Sequence, residues 1–226
     1  MVAMPDSAEQ RLRMAACILD FEARRDAAGH LKVYALPAND GGGAYEVAGI
    51  NQRYDREACD ALIKMIGEGQ FNEAEIFATE YIAKNTDPAA GMTSVPMIES
   101  YLRDCVFNRG VRGATRILRR ALKVADDGII GPETRAAMQS AERDPEALLQ
   151  DLRAAREDYE KYVVGYRANF WGGLVSRWNK SMLAARKFSK VPTAQPKPPP
   201  SPAQPPAPRN WLSMFIDAIA AIFRRR

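Results

Sequence analysis

Glu22 is the residue whose type and placement best suit it to chemistry. It follows Leu19 by three residues and Ile18 by four, so on a helix it extends an apolar stripe that also holds Leu12, Ala15 and Ala16. It also falls in the last turn of that helix, where the macrodipole disfavours negative charge. Both effects raise a carboxyl pKa, the property a general acid needs near neutral pH. Arg24 and Arg25 follow closely and oppose that shift if their charge reaches it. An ordinary solvated carboxylate at a helix end is the plain alternative. Other chemistries are poorly served. His30 is the sole histidine, and Cys17, Cys59 and Cys105 lie far apart with no CxxC pair, so neither a metal site, a cofactor nor a Ser/His/Asp triad is expected.

The elements that must position Glu22 read as mainly helical. Asp6 and Glu9 form a capping-box pattern at the start of the first helix. Residues 24–54 hold the β candidate of the chain: an alternating run (Leu31, Val33, Tyr34, Leu36), then Pro37, Gly41, Gly42 and Gly43, then Val47 to Ile50, a loop with a short hairpin. From Asp55 onward the pattern is helical. Asp55 caps a helix carrying Leu62, Met65 and Ile66; Asn72 with Glu75 caps one carrying Ile76, Phe77 and Tyr81. Ile98, Tyr101, Leu102 and Cys105 form another stripe, and Ile117, Leu118, Ala121 and Leu122 the next. Asp144–Pro145 opens a long helix with Leu148, Leu149, Leu152, Tyr159 and Tyr162, and an aromatic helix with Phe170, Trp171 and Trp178 closes the domain. Cys17 and Cys105 lie within apolar patterns and read as buried free thiols, suited to a reducing compartment of synthesis.

Four segments, in order, resemble glycoside hydrolase family 108, the small lysozyme-like muramidases of phage lysis cassettes. They are ILDFE with the following DGGG and AGIN; LRDCVFNRGVRGATRILRRAL, where Asp104, Asn108 and Gly110 fall on family positions; ADDGIIGPETRAAM, with Asp127, Gly128, Gly131, Pro132 and Thr134; and FWGGLVSRWNK. The resemblance spans residues 11–187. It implies a mainly α, lysozyme-like domain over residues 6–190, divided into a catalytic half (6–90) and a peptidoglycan-binding-like half (91–190). The implied reaction is hydrolysis of the β-1,4 bond between N-acetylmuramic acid and N-acetylglucosamine, with Glu22 as acid and Asp40 or Glu46 as the second carboxylate. Asp40 matches the loop Asp of the family. Gly42 and Gly43 would let the backbone approach a sugar, Asn108 would contact substrate, and Asp127 to Thr134 would form either a sugar-binding loop or a plain helix-loop-helix connection. Trp171 and Trp178 either stack on sugar or fill the core. The chain departs from the family after Glu22, where Ala23, Arg24 and Arg25 replace Gly-Gly-Tyr, and the threonine that follows the glycines is missing, with Glu46 near its place. The alternative is a catalytically inactive peptidoglycan-binding or assembly protein.

The formal charge of +4 and pI near 9.0 agree with an anionic partner. Arg109, Arg112, Arg116, Arg119 and Arg120 follow one helix side and would suit phosphates, a wall polymer or plain solvation; peptidoglycan is the expected partner and nucleic acid is not. Residues 191–208 are a Pro-rich spacer. Over residues 209–226, Trp211, Leu212, Phe215, Ile216, Ile219 and Phe223 share a helical face ahead of three arginines. That helix would be about 20 Å long against a hydrocarbon core of roughly 30 Å, which suits a membrane surface or a partner protein. The N-terminus lacks the positive-then-apolar pattern of a signal peptide. Synthesis in the cytoplasm is therefore expected, with access to periplasmic peptidoglycan by holin-type release, injection or specialised secretion.

Overall fold

Helix α1 (Ser7–Glu22) buries Met14, Ala15, Ile18 and Leu19 along one side. These positions recur at the three- and four-residue spacing of a helix face, so Glu22, at the end of the same row, is carried inward. In this computed structural model residues 7–37, 43–166 and 168–189 are described. Asp6, Asp40, Gly42, the spacer 191–208 and the segment 209–226 lie outside them. Against α1 packs α3 (Phe71–Thr86), whose buried row is Ala74, Ala78, Ile82 and Ala83. Of the expected stripe, Phe77 and Tyr81 pack partly buried against the core, while Ile76 is exposed. Small side chains let the α1 and α3 backbones approach, and the larger Ile76 turns to solvent. The start of α3 also differs from expectation: the chain turns at Gly69 (φ 76°), and the helix begins at Phe71 with no side-chain cap, leaving Asn72 inside the first turn. Helix α2 (Arg56–Gly67) starts as expected, with the Asp55 side chain accepting the Ala58 N–H at 3.0 Å.

The β region is a three-stranded antiparallel sheet rather than one hairpin: β1 (Tyr34–Ala35), β2 (Tyr45–Val47) and β3 (Ile50–Asn51), in that order. Val47 pairs with Ile50, so Ala48 and Gly49 make a two-residue turn. Both have positive φ, 50° and 78°, the geometry that matches the twist of a hairpin. Alanine is an unusual occupant of the first position, which hid this turn from the sequence pattern. Val47, Ala48 and Ile50 are buried, and they join the first core with the inward faces of α1, α2 and α3.

A second core gathers residues from Ala89 to Ala185. Its centre is α4 (Pro96–Ala121), whose helical geometry breaks at Gly110 (φ 64°, ψ 174°), so two helical stretches meet there. Around it lie α5 (Pro132–Ala141), α6 (Pro145–Tyr159) and α7 (Ala168–Ala185). Asp144 caps α6 by accepting the Ala147 N–H at 3.0 Å, with Pro145 in the first turn, as the sequence predicts. Beyond Tyr159 the winding widens into a π-helical turn (Glu160–Gly165), which rotates Tyr162 off the apolar row and into solvent. Cys59 and Cys105 are buried and Cys17 is only half-buried, all three as free thiols. Among the described residues no helix is long and apolar enough to cross a membrane.

The turn between β2 and β3 has little tolerance. A Cβ added at Gly49 would lie 3.1 Å from Phe107 Cε1 and 3.5 Å from Glu22 Cδ, in a left-handed conformation. Gly49→Ala is expected to lower stability by about 1–2 kcal/mol from the backbone conformation alone. Urea unfolding checks this; an unchanged midpoint would mean that the turn relaxes freely.

Candidate active site

Glu22 lies where the two cores meet. Its own helix belongs to the first, while its polar partners come from the second. The Arg177 guanidinium, from α7, donates to Glu22 Oε1, and the Asn108 amide of α4 lies 3.5 Å from the same oxygen. The Glu22 side chain keeps 21% of its surface exposed, enough for one edge to face solvent. Desolvation pushes its pKa up; Arg177 pulls it down, and the negative charges of Asp104 and Glu46 push it up again. The net effect is upward because desolvation outweighs the ion pair. Arg177 serves a second carboxylate as well. Its Nη1 and Nη2 also donate to Asp104 Oδ1, at 3.1 and 2.8 Å.

Asp104 is the anchor of this arrangement. It is 1% exposed, and so is Arg156 of α6, whose Nη1 donates to Asp104 Oδ2 at 2.6 Å. Burial pushes the Asp104 pKa up, but the charges of Arg177 and Arg156 outweigh it, aided by hydrogen bonds from Arg156 and Ser181; its pKa falls below the ordinary range. Asp104 thus stays ionised with both oxygens occupied. The Asn108 side chain donates back to the Asp104 carbonyl at 3.0 Å, one helical turn earlier, which orients its amide beside Glu22. The chain continues Glu22 with Arg24 and Arg25, and both are engaged. Arg24 sits over the Tyr34 ring, 3.4 Å from its centroid, and 3.9 Å from Glu46; Arg25 pairs with Glu75 at 2.7 Å.

The sequence candidates fall in different places. Glu46 is on β2, between Tyr34 of β1 and Asn51 of β3, and is one of the charges felt by Glu22. Gly43 (φ 96°) packs against Gln52 and the Arg53 backbone, so its missing Cβ serves a close chain contact. Asp127 belongs to the connection between α4 and α5, and Thr134 to the first turn of α5. Thr134 is 1% exposed and receives a hydrogen bond from Arg119, and Asp127 accepts the Ile129 N–H at 2.8 Å and pairs with Arg119 at 3.2 Å. These contacts hold the connection onto α4. Four of the five arginines of the basic row are similarly engaged, Arg109 with Glu160, Arg116 and Arg120 with Asp126, and Arg119 with Asp127 and Glu133, while Arg112 is exposed. Trp178 is core, with Trp171 edge-on at 5.5 Å between ring centroids. Arg177, Arg156, Gly49 and Phe107 are the site neighbours that sequence reasoning missed. Arg177 stands in the FWGGLVSRWNK segment, one residue before the core Trp178; Arg156 carries no signal beyond its charge within an apolar row.

Beside Glu22 a groove of about 280 Å³ opens between the sheet and α4, and Gly49 and Phe107 line it. Gly49 also faces the Glu22 carboxyl, for a Cβ there would lie 3.5 Å from Glu22 Cδ, while Glu22 itself does not line the groove.

Residues 110–178 match a family described as "Predicted Peptidoglycan domain". The matched segment starts at the glycine that breaks α4 and ends one residue past Arg177. Among solved structures, the chain is similar to that titled "Structure of Brucella abortus SagA", with a TM-score of 0.56 and 20% identity, over 81% of this chain and 98% of that one. At that identity the likeness concerns the fold. No curated protein matches.

Two stability outcomes follow. Asp104→Asn leaves Arg156 buried without its counter-ion and is expected to cost about 3–5 kcal/mol, read as a fall in the urea midpoint. Glu22 behaves oppositely. Because its folded pKa is raised, the stability it contributes is fully present below about pH 4.3 and is lost as pH rises through the folded value. Glu22→Gln should therefore match the wild type at pH 4 and exceed it in melting temperature at pH 8. A wild type more stable than the variant at pH 8 would reverse the assigned shift.

Proposed function

We propose that this protein is a peptidoglycan muramidase of the family 108 type, with Glu22 as its general acid. The observation that carries the reading is a largely buried carboxyl with a raised pKa at the end of a helix, held by an arginine fixed from behind and close to Gly49, which lines a groove. The match of residues 110–178 to the peptidoglycan family supports the wall polymer as partner. In the reaction the Glu22 proton passes to the glycosidic oxygen of the leaving sugar as the bond from that oxygen to C1 breaks. Glu22 ends as a carboxylate, and Arg177 stabilises the charge that develops on it. Water supplies a hydroxyl to C1 and loses its second proton to a base, which restores the balance. Glu46 is the described carboxylate suited to assist at C1, with Asp40 as the other candidate; Asp104 is not, because both its oxygens are held and it faces no solvent.

A second reading is a wall-binding protein without hydrolysis, favoured by the fact that the family match covers α5 and α6 but not Glu22. Purified Gram-negative peptidoglycan separates the two. The wild type should release muropeptides with new reducing N-acetylmuramic acid ends. Glu22→Gln should lose about 10²- to 10⁴-fold or more of that rate while still sedimenting with the wall. Sedimentation without any release by the wild type would establish the binding role.

A further inference from the structure

The link from α6 to α7 turns its apolar side chains outward. Tyr162, Val163, Val164, Tyr166 and Phe170 are exposed, Tyr162 at 69% and Phe170 at 63%. A lone exposed residue such as Ile76 needs no explanation, but five within nine residues make a patch, and patches mark interaction surfaces. Backbone geometry puts them there. The π-helical turn takes the chain off the buried row of α6, Gly165 turns it at φ 109°, and Tyr166 is extended. Single π-helical turns are rare and recur at functional positions. The patch is also anchored, for the Tyr166 ring meets Trp171 at 4.8 Å between centroids, and Trp171 meets the core Trp178.

Charge narrows the partner. Residues 161–190 hold seven lysines and arginines and no aspartate or glutamate. Glu160, just before them, is buried against Arg109. Arg177 and Arg186 are committed to carboxylates, whereas Lys161, Lys180 and Lys187 are exposed and enter no ion pair among the described residues. Lys161 lies within the patch, 5.1 Å from the centroid of the Tyr162 ring. A second copy of the chain is a poor fit, because a two-fold contact would set this cationic segment against itself. Nucleic acid would use the lysines and the rings but not Val163 and Val164, which gain only from an apolar medium. Tyrosine and phenylalanine beside aliphatic residues, with lysine alongside, suit the boundary between headgroups and acyl chains of an anionic bilayer.

We infer that Tyr162, Val163, Val164, Tyr166 and Phe170 form a membrane-docking surface, whose apolar groups enter the bilayer interface while Lys161 meets anionic headgroups. This surface is separate from residues 209–226. It needs no glycan, so it stands independently of the muramidase reading.

The test is sedimentation of the full chain with phosphatidylglycerol–phosphatidylcholine vesicles and with pure phosphatidylcholine vesicles. The wild type should bind the anionic vesicles and bind the neutral ones more weakly. Tyr162→Ser with Phe170→Ser should weaken binding on the order of tenfold at an unchanged melting temperature. Lys161→Gln should weaken it about fivefold, on anionic vesicles only. Tyr162→Trp, which keeps an interfacial ring, should bind at least as tightly as the wild type, and Ile76→Ser should change nothing. Residues 209–226 are the same in every protein compared, so their own affinity cancels. Absence of wild-type binding, equal binding to both vesicle types, or equal binding by the double variant would overturn the surface. Phe170-dependent binding of an oligothymidylate, with none to vesicles, would overturn it in favour of single-stranded nucleic acid. The two readings fail separately. Vesicle binding without release of muropeptides would keep the surface and remove the muramidase, and release without vesicle binding would do the reverse.

Discussion

The buried Asp104 carboxylate is the constraint around which the second half of the molecule is arranged. A charge at 1% exposure is stable only when it is paired and hydrogen-bonded, and here a different guanidinium holds each oxygen. Arg156 takes one oxygen from α6 and Arg177 takes the other from α7, across 52 and 73 residues of chain. That requirement draws α4, α6 and α7 together. It also leaves Arg177 oriented so that the same nitrogen reaches Glu22 on α1. The partner of the candidate acid is thus held by a group two contacts away, and the shared guanidinium is one of the ties between the first core and the second, beside the packing of α1 and α3 on α4.

The groove depends on a different constraint, a steric one. The β2–β3 turn must pass close to both Glu22 and Phe107, and a Cβ at Gly49 would press to 3.1 Å from the latter. A tight two-residue turn with both residues at positive φ brings the backbone there, and burial of Val47, Ala48 and Ile50 holds it in place. On the far side, the break at Gly110 opens the α4 surface between Phe107 and Val111. Both walls of the groove therefore owe their shape to glycines that act through backbone geometry rather than through side-chain chemistry.

The arginines along α4 show how charge in a sequence and charge on a surface differ. Read as a row, they resemble a contact strip for an anion. Folded, Arg116, Arg119 and Arg120 turn toward Asp126, Asp127 and Glu133, and Arg109 toward the buried Glu160. Their work is to hold the α4–α5 connection and the π-helical turn after α6. The mildly basic net charge says little about where an anionic polymer would meet the protein.

Local patterns in the sequence determined the helices with strong end signals and the inward direction of Glu22. Asp55 and Asp144 cap helices through bonds made within three residues, and Glu22 follows Ile18 and Leu19 at spacings that need no partner to interpret. Tertiary structure decided what that carboxyl is worth. Its raised pKa comes from burial between two cores and from the carboxylates of Asp104 on α4 and Glu46 on β2, against the arginines of α6 and α7. The same holds for Thr134 and Trp178, whose types suit a sugar site and whose positions in the fold are interior. On α3 the row of small residues that is most deeply buried went unread for a related reason: which apolar row lies deepest depends on how closely a neighbouring helix approaches. Short-range hydrogen bonds and helical periodicity are properties of the chain, whereas desolvation and ion-pair sharing exist only after distant segments have packed.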